Sequence, residues 1–494
     1  MDKLIWAEHL KKWKLFLTEM LSYAQDDGDI IRISRQLQTI EKVRCGAALN
    51  PALLLEFINP SDKKLASIED IDFYLNLNES QKRAVMAALS DNYLSLIQGP
   101  PGTGKTQVIA EMCLQLYKQN PNIRILVCSE THVAVNNLIA RISSNSEEAI
   151  RSIRIRDKEN DDEIDEFSIE NIVQSYLDWA SKSLDNKRAF EIISNELSDT
   201  ANKSLEKALA LSANIIGVTC NRLAAYDFLD STEMFDIVVI DEVCKATLPE
   251  ILTPLLISNK AILLGDPQQL PPVFCSEEQE VIKSIEDCDL NRFMYIDTLF
   301  RDSLNTTVLD TQYRMTDGIG DMISHVFYND LLKNGRNEYR ENDIVWVDYK
   351  PTQEWPMKNT QNDDRVEIYN TDECLIINDL LSDVIANNAS DTTVAVITPY
   401  KGQVRQLRKQ CKYNHRVKID TVDGFQGKEA DIVIFSITRT TGAFRFLADD
   451  RRLNVALSRA RNQIYIVGDK KYCMKSKLLS SIIDRCNVVM HNYI

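Results

Sequence analysis

Short apolar runs recur along the chain, each ending in small, polar or acidic residues, and stretches with helical spacing fill most of the gaps between them. In a first half, Leu94–Gln98, Ile123–Ser129, Asn214–Cys220, Phe235–Ile240 and Ala261–Leu264 predict strands. A second half begins near residue 306, where Ile344–Val347, Val394–Ile397, Ile432–Ile437 and Ile464–Val467 predict strands of their own. Nearly continuous apolar strands alternating with helices predict an α/β fold with parallel sheets. The first 75 residues differ. Trp6, Leu10, Trp13, Leu17 and Met20 recur at spacings of four and three, one apolar stripe on a helix. That stripe reads as core packing, with a partner-binding helix as the alternative. Residues from about 143 to 212 are polar and helix-like, and their acidic run Asp161–Glu166 reads as a solvated face. The organisation predicted is therefore an N-terminal helical segment (1–75), an α/β domain (76–305) carrying an inserted helical arm at about 143–212, and a second α/β domain (306–494).

Length and composition narrow the classes. A chain of 494 residues has room for two or three domains, and 44% hydrophobic with 26% charged residues is ordinary for a globular protein. The net charge of −16 argues against coating nucleic acid over the whole surface, yet leaves room for a local basic groove. The eleven cysteines include no C-x-x-C pair, so zinc-ribbon, iron–sulfur and thioredoxin-like chemistry lack their spacing. Reduced, buried thiols fit a cytosol-type compartment. Charged residues interrupt the N-terminus from Lys3 to Glu19, and no run approaches the ~18 apolar residues of a membrane span. The expectation is a soluble, cytoplasmic protein with no membrane partner.

Chemistry concentrates at strand ends. Leu94–Gln98 runs into Gly99-Pro100-Pro101-Gly102-Thr103-Gly104-Lys105-Thr106, followed by a helix-like stretch from Gln107 to Tyr117. Glycine, four residues, then Gly-Lys-Thr is the phosphate-loop pattern: small residues let backbone N–H groups turn inward around phosphate oxygens at a helix N-terminus. Lys105 is expected to reach the β- and γ-phosphates of a nucleotide, and the Thr106 hydroxyl to ligate magnesium. Phe235–Ile240 ends in Asp241-Glu242, where Asp241 would hold the ion and Glu242 would polarise the attacking water. Gln81, ahead of the loop, can read adenine because its amide both donates and accepts, although an exposed helical glutamine is the plain reading. A glutamine in Asp266-Pro-Gln-Gln269 can sense a γ-phosphate. Asp310–Met315 and Leu453–Arg461 supply arginines without a phosphate loop of their own, which suggests fingers. Glu130–Asn137 lies where open parallel sheets place ligands, and His132 there is taken as an ordinary polar residue.

The ordered set LNESQKRAV, GPPGTGKT, SETHVAVNN, GVTC, DEVC, GDPQQLPP, LDTQYRM, ITPYKGQV, TVDGFQGKEADIVIFS and RRLNVALSRAR, from Leu77 to Arg461, resembles the superfamily 1B helicases. The resemblance is to the branch of the nonsense-mediated-decay RNA helicase and the eukaryotic replication helicase–nucleases. It implies two tandem RecA-like domains with ATP and Mg2+ in the cleft between them. It further implies that Gln81 contacts adenine and Tyr313 stacks on it. Lys105, Gln269, Arg314 and Arg459 would surround the γ-phosphate, and Gly427 and Glu429 would touch the ribose and phosphate side. The strand-binding surface would include Ser129, Thr131, Thr219, Pro399 and Thr421, contacting backbone phosphates of either DNA or RNA. The activity implied is ATP-dependent helicase or translocase movement, 5′→3′, on single-stranded nucleic acid.

Some residues depart from the family. Val243-Cys244 follows the carboxylate pair where a small residue is usual, and Thr316-Asp317 stands where many relatives carry His-Pro. The 75 residues ahead of the first motif are too few for the decay helicase's accessory barrel, and little chain follows Arg461. These features suggest a compact, bacterial-type stand-alone motor. A second function class stays open: a nucleotide-gated nucleic-acid-binding module that recruits an effector such as a nuclease without processive unwinding.

Overall fold

The structure is a computed structural model and describes residues 3–60, 71–130, 132–144, 150–155, 166–183, 188, 209–223, 235–285, 295–303, 306–355, 367–413 and 415–491. The chain forms two compact units. One comprises Met1–Gly99, Gly104–Pro267 and Pro271–Leu309; the other comprises Pro100–Thr103, Gln268–Leu270 and Asp310–Ile494.

In the first unit the apolar runs become β1 (Leu94–Gln98), β2 (Ile125–Ser129), β3 (Ser152–Arg154), β4 (Ile215–Thr219), β5 (Phe235–Ile240), β6 (Ser258–Gly265) and β7 (Thr306–Val308). They pair in the order β3-β4-β2-β5-β6-β1-β7, every pair parallel. All seven carboxyl ends therefore lie along one edge. Between β1 and β2, consecutive in this sheet, stand β6 and β5, so the chain crosses over two positions at that point. Open parallel sheets bind ligands outside the carboxyl ends at such a crossing.

Both faces of the sheet are covered. On one face Ile97, Val127, Val239 and Ile262 pack with Ala84, Val85, Val108 and Met112 from the helices Glu79–Leu89 and Lys105–Gln119. On the other, Leu96, Leu126, Val238 and Leu263 pack with the N-terminal helices. In the helix Lys3–Tyr23, Trp6, Leu10, Trp13 and Leu17 are buried in this core, with Met20 partly buried against it. Trp13 meets Phe16 and Phe274 with ring centroids 5.6 and 6.4 Å apart. The apolar stripe is core packing, and the partner-helix alternative falls.

One strand, β3, lies inside the segment expected to be a helical arm. Its three residues pair with β4 and bury Ile153. The helix Ile169–Ser183 belongs to the same segment. Residues 145–149, 156–165, 184–187 and 189–208, including most of the acidic run, lie outside the described residues.

The second unit holds a two-stranded ladder, β8 (Thr311–Gln312) with β9 (Lys333–Asn334), and a larger sheet. That sheet consists of β10 (Ile344–Asp348), β11 (Val394–Thr398), β12 (Val417–Thr421), β13 (Ala430–Ser436), β14 (Ala460–Val467) and β15 (Asn487–Met490). Its order is β12-β11-β13-β14-β10-β15, again all parallel. No helix among the described residues is long and apolar enough to cross a membrane. Seven of the ten described cysteines are buried, and all ten are free.

At the carboxyl ends of β11 and β13 lies a buried polar knot. Glu373 accepts hydrogen bonds from Ser436 Oγ at 2.5 Å, Thr438 N–H at 2.8 Å and Tyr349 Oη at 3.1 Å. These bonds hold Thr438 at φ +72°, a costly conformation for a β-branched residue. Burial pushes the Glu373 carboxyl from 4.5 up to about 8, more than its hydrogen bonds pull it down. Between these values the unfolded chain has released its proton and the folded chain has not. Glu373 therefore contributes stability that is fully present below about pH 4.5 and is lost as pH rises through 8. Glu373→Gln, which mimics the protonated acid, is expected to flatten this loss, read as the urea midpoint measured at pH 5 and pH 8.

Candidate nucleotide site and nucleic-acid edge

The phosphate loop begins where β1 ends. Gly99 N–H donates to Gly265 O at 2.9 Å, which ties the start of the loop to the end of β6. Gly104 then takes φ +79° as the N-cap of the helix Lys105–Gln119. A Cβ there would come within 2.7 Å of Gln81 Nε2, so both the backbone angle and the neighbour require glycine. Gln81 is buried and closes a capping box: its N–H donates to Asn78 Oδ1 at 2.9 Å, and its Oε1 accepts from Asn78 N–H at 3.0 Å. Its carbonyl is thus engaged locally and its amide nitrogen faces the loop.

Behind the loop, Lys105 Nζ donates to Gly99 O at 2.9 Å and lies 3.6 Å from Glu242 Oε1. Asp241 and Glu242 stand at the end of β5, separated from β1 by β6 alone. Glu242 sits at φ +54° and donates its N–H to Asp241 Oδ1 at 2.9 Å. Burial, followed by the Glu242 charge, holds the Asp241 carboxyl above the ordinary range, while Lys105 opposes the shift. A buried carboxylate in that position gains from a divalent cation. The Asp241 carboxyl and the Thr106 hydroxyl, the two groups expected to hold magnesium, both offer oxygen, the donor type that magnesium takes. Lys245, in the turn after Glu242, reaches its other oxygen: Nζ–Oε2 is 3.5 Å.

The second unit gathers the remaining residues expected around a nucleotide. Tyr313 N–H donates to Gly102 O at 2.9 Å. Gly102 takes φ +74°, and a Cβ there would meet Arg314 Cβ at 2.7 Å. Tyr313 is 45% exposed. Arg314 Nε donates to Glu429 Oε2 at 2.7 Å and Nη1 to Ser458 O at 3.1 Å. Arg461 Nε lies 3.6 Å from the other Glu429 oxygen. The buried Arg459 donates from Nε to Val455 O at 2.8 Å and from Nη2 to Gln269 Oε1 at 3.5 Å. Gly427 takes φ +77°, with no atom within 4 Å of where its Cβ would stand.

The residues expected on the nucleic-acid surface share sheet edges. Ser129 and Thr219 are register partners at the ends of β2 and β4, and both are buried. Thr421 is the partner of Thr398, which Pro399 follows; Pro399 and Thr421 are half-buried. Thr131 lies outside the described residues.

A family profile described as an AAA domain matches residues 76–198 and 180–277, and a second, also described as an AAA domain, matches 292–471. The chain is similar to an uncharacterized ATP-dependent helicase of Methanocaldococcus jannaschii, 29% identical over 87% of this chain and 74% of that protein. It is 28% identical to the DNA polymerase alpha-associated DNA helicase A of Saccharomyces cerevisiae, over 94% of this chain and 76% of the relative. It is 29% identical to the Schizosaccharomyces pombe ATP-dependent helicase upf1, over 93% and 52%. The chain belongs to the Upf1-like branch of the superfamily 1 helicases. As a member of that branch it is an ATP-hydrolysing helicase. A solved arterivirus nonstructural protein 10 helicase in complex with DNA is 14% identical over 82% of this chain and 65% of that one, with a TM-score of 0.42.

Within this helicase the sequence pattern had not drawn attention to Lys245, and had placed Glu130 only as the first residue of a ligand-facing segment. The signal for Lys245 was present: a lysine three residues beyond a carboxylate can fold back on it through a single turn. Glu130, directly after Ser129, is a carboxyl that burial, then the Glu250 charge, holds above the ordinary range. Nothing in its local sequence foretells that burial.

For the loop, Gly104→Ala is expected to cost about 1–2 kcal/mol through the left-handed backbone and to displace Gln81. Affinity for a fluorescent ATP analogue should weaken by about tenfold or more, on the scale of 1.4 kcal/mol per decade. The unfolding midpoint should fall by only a few degrees.

Proposed function

We propose that this helicase moves 5′→3′ along single-stranded DNA or RNA by hydrolysing ATP between two RecA-like domains. The observation that carries the reading is the cluster of Lys105, Asp241 and Glu242 at the carboxyl edge of the first sheet, with Glu242 Oε1 3.6 Å from Lys105. Lys105 would exchange Gly99 O and Glu242 for the β- and γ-phosphates. Thr106 and Asp241 would hold Mg2+, which neutralises phosphate charge when bound. Glu242 would then orient and polarise the attacking water. Gln269, Arg314 and Arg459 would take up charge on the γ-phosphate, Gln81 and Tyr313 would hold adenine, and Gly427 and Glu429 would meet the ribose and phosphate side.

Ser129, Thr131, Thr219, Pro399 and Thr421 would contact strand phosphates, which gives broad sequence tolerance. Residues gripping the γ-phosphate from both domains would couple hydrolysis to domain closure and release, so that alternate grips on the strand become steps. Support for the 5′→3′ direction comes from the family resemblance alone.

Glu242→Gln should retain ATP and strand binding while stalling turnover; near-normal hydrolysis would remove Glu242 from the assigned role. Arg459→Ala should cut turnover by roughly a hundredfold or more on the arginine-finger scale, and a change in ATP affinity alone would make it a binding residue. ATPase rates measured side by side with single-stranded DNA and RNA test the substrate. Indifference to both would overturn the proposal. Turnover without displacement of any tailed duplex would replace it with a nucleotide-gated binding module.

A further inference from the structure

Glu242, the carboxylate expected to activate water, stands in the left-handed backbone region at φ +54°, a costly place for a residue with a Cβ. Such a residue persists only where its surroundings over-determine it. On one side, Asp241 N–H donates to Cys128 O of β2 at 2.9 Å, and Glu242 N–H to Asp241 Oδ1 at 2.9 Å. On the other side the chain makes one tight turn, Val243–Lys245. There Lys245 N–H donates to Glu242 O at 3.0 Å and Ala246 N–H to Val243 O at 3.2 Å. The chain then enters the helix Leu248–Leu256, buried at all nine residues.

The N-terminal helices reach the start of that helix. Glu250 Oε2 caps it, accepting from Thr247 N–H at 2.7 Å and from Thr247 Oγ1 at 2.6 Å. The other oxygen, Oε1, accepts from Gln36 Nε2, on the helix Asp27–Arg44, across 3.5 Å. That bond is long, yet no other donor among the described residues reaches Oε1, and both side chains are buried. A buried carboxylate oxygen is costly to leave without a donor, so the two groups hold each other. One turn further along both helices, Thr39 Oγ1 and Thr253 Oγ1 lie 3.0 Å apart. This second bond ties the same two helices together without touching the cap.

We infer that Gln36 is a positioning residue for hydrolysis: through Glu250 and Thr247 it fixes the turn that aims the Glu242 carboxylate. The N-terminal helices then do more than complete a core; they brace the strand end that carries the catalytic acid. Without the Gln36 donor, Glu250 Oε1 has no partner and the carboxyl swings to find one. Thr247 loses part of its cap, and the strained Glu242 backbone relaxes toward an ordinary angle. The carboxylate is then misaimed, and a misplacement of about 1 Å can cost about a hundredfold in rate. ATP binding is spared. Gln81, Lys105 and Thr106 belong to the helices Glu79–Leu89 and Lys105–Gln119, which pack on the opposite face of the sheet from the N-terminal helices. This role of Gln36 rests on the reading of Glu242 as the group that activates water.

The test uses the full chain: steady-state ATP hydrolysis with poly-dT or poly-U present, and the unfolding midpoint of each variant. Gln36→Met keeps the length and burial of the side chain but has no donor. It is expected to lower kcat about tenfold with the KM for ATP unchanged. Thr39→Val removes the other bond between the same two helices. It should lower the midpoint by a similar few degrees and leave kcat unchanged. Glu250→Gln keeps an acceptor for Thr247 and a group that can pair with the Gln36 amide, so it should retain most of the turnover. Native kcat in Gln36→Met would overturn the inference. So would an equal fall of kcat in Thr39→Val, which marks general loosening, or a raised KM with kcat intact, which marks a nucleotide-binding role. A loss in Glu250→Gln as large as in Gln36→Met would assign the effect to the Glu250 charge and likewise overturn it. If Glu242→Gln itself hydrolyses ATP at a near-native rate, the role of Glu242 fails first, and the two failures are told apart.

Discussion

A nucleotide phosphate needs several backbone N–H groups pointing at one place, and an extended or helical chain of L-residues does not supply them. The peptide between Gly99 and Lys105 meets that demand with two residues in the left-handed region, Gly102 and Gly104. Each also leaves room for a neighbour where a side chain would stand, Arg314 Cβ beside Gly102 and Gln81 Nε2 beside Gly104. The same two omissions of Cβ that permit the turn therefore leave room for Gln81 beside Gly104 and Arg314 beside Gly102. Parallel pairing does the rest. Because every strand of the first sheet runs the same way, the ends of β1 and β5 open on one edge, with the end of β6 between them.

Charge is the second constraint. A buried ion must be paired, and removing one partner from such a pair leaves an uncompensated charge that costs about 3–5 kcal/mol. Each cation expected to meet the nucleotide has a protein partner within its own unit. Lys105 is bound to a carbonyl and a carboxylate, Arg314 to Glu429 and Ser458 O, and Arg459 to Val455 O and Gln269. Such partners keep the cations aimed without immobilising them, and a doubly charged phosphate outcompetes a neutral carbonyl for an ammonium. Under the proposed function, phosphate binding at each of these cations is an exchange of partners.

The strands legible in the sequence were those buried on both faces. Leu94–Gln98, Ile125–Ser129, Phe235–Ile240, Val394–Thr398 and Ala430–Ser436 read as unbroken apolar runs because helices cover both sides of each sheet. Six strands escaped notice: β3 and β7 are three residues each, β8 and β9 are two each, β12 alternates apolar with polar residues at a sheet edge, and β15 is exposed at every position. At a sheet edge one ladder of hydrogen bonds, rather than burial, makes the strand, so the apolar signal thins. The same logic applies to the site. Lys105, Asp241 and Glu242 sit at fixed offsets from strand ends and can be read from spacing. Lys245 folds back on Glu242 within one turn, a local signal that spacing could have given; the surroundings of Glu130 depend on neighbouring elements, which no local window contains.

The charge of −16 and an anionic ligand are compatible because electrostatic recognition is local. At about 0.15 M salt the Debye length is about 8 Å, so acidic residues farther off contribute little at the loop, while Lys105 and Lys245 act nearly unscreened from side chains only 13% and 14% exposed. Low net basicity then has a use. A uniformly basic surface would hold any polyanion wherever it touched, and release would become slow. Under the proposed function, an acidic exterior around a few buried cations would reject nucleic acid except where backbone phosphates reach a strand end. A stepping motor has to let go of each phosphate it grips, so weak non-specific attraction favours the cycle as much as strong contact at the edge does.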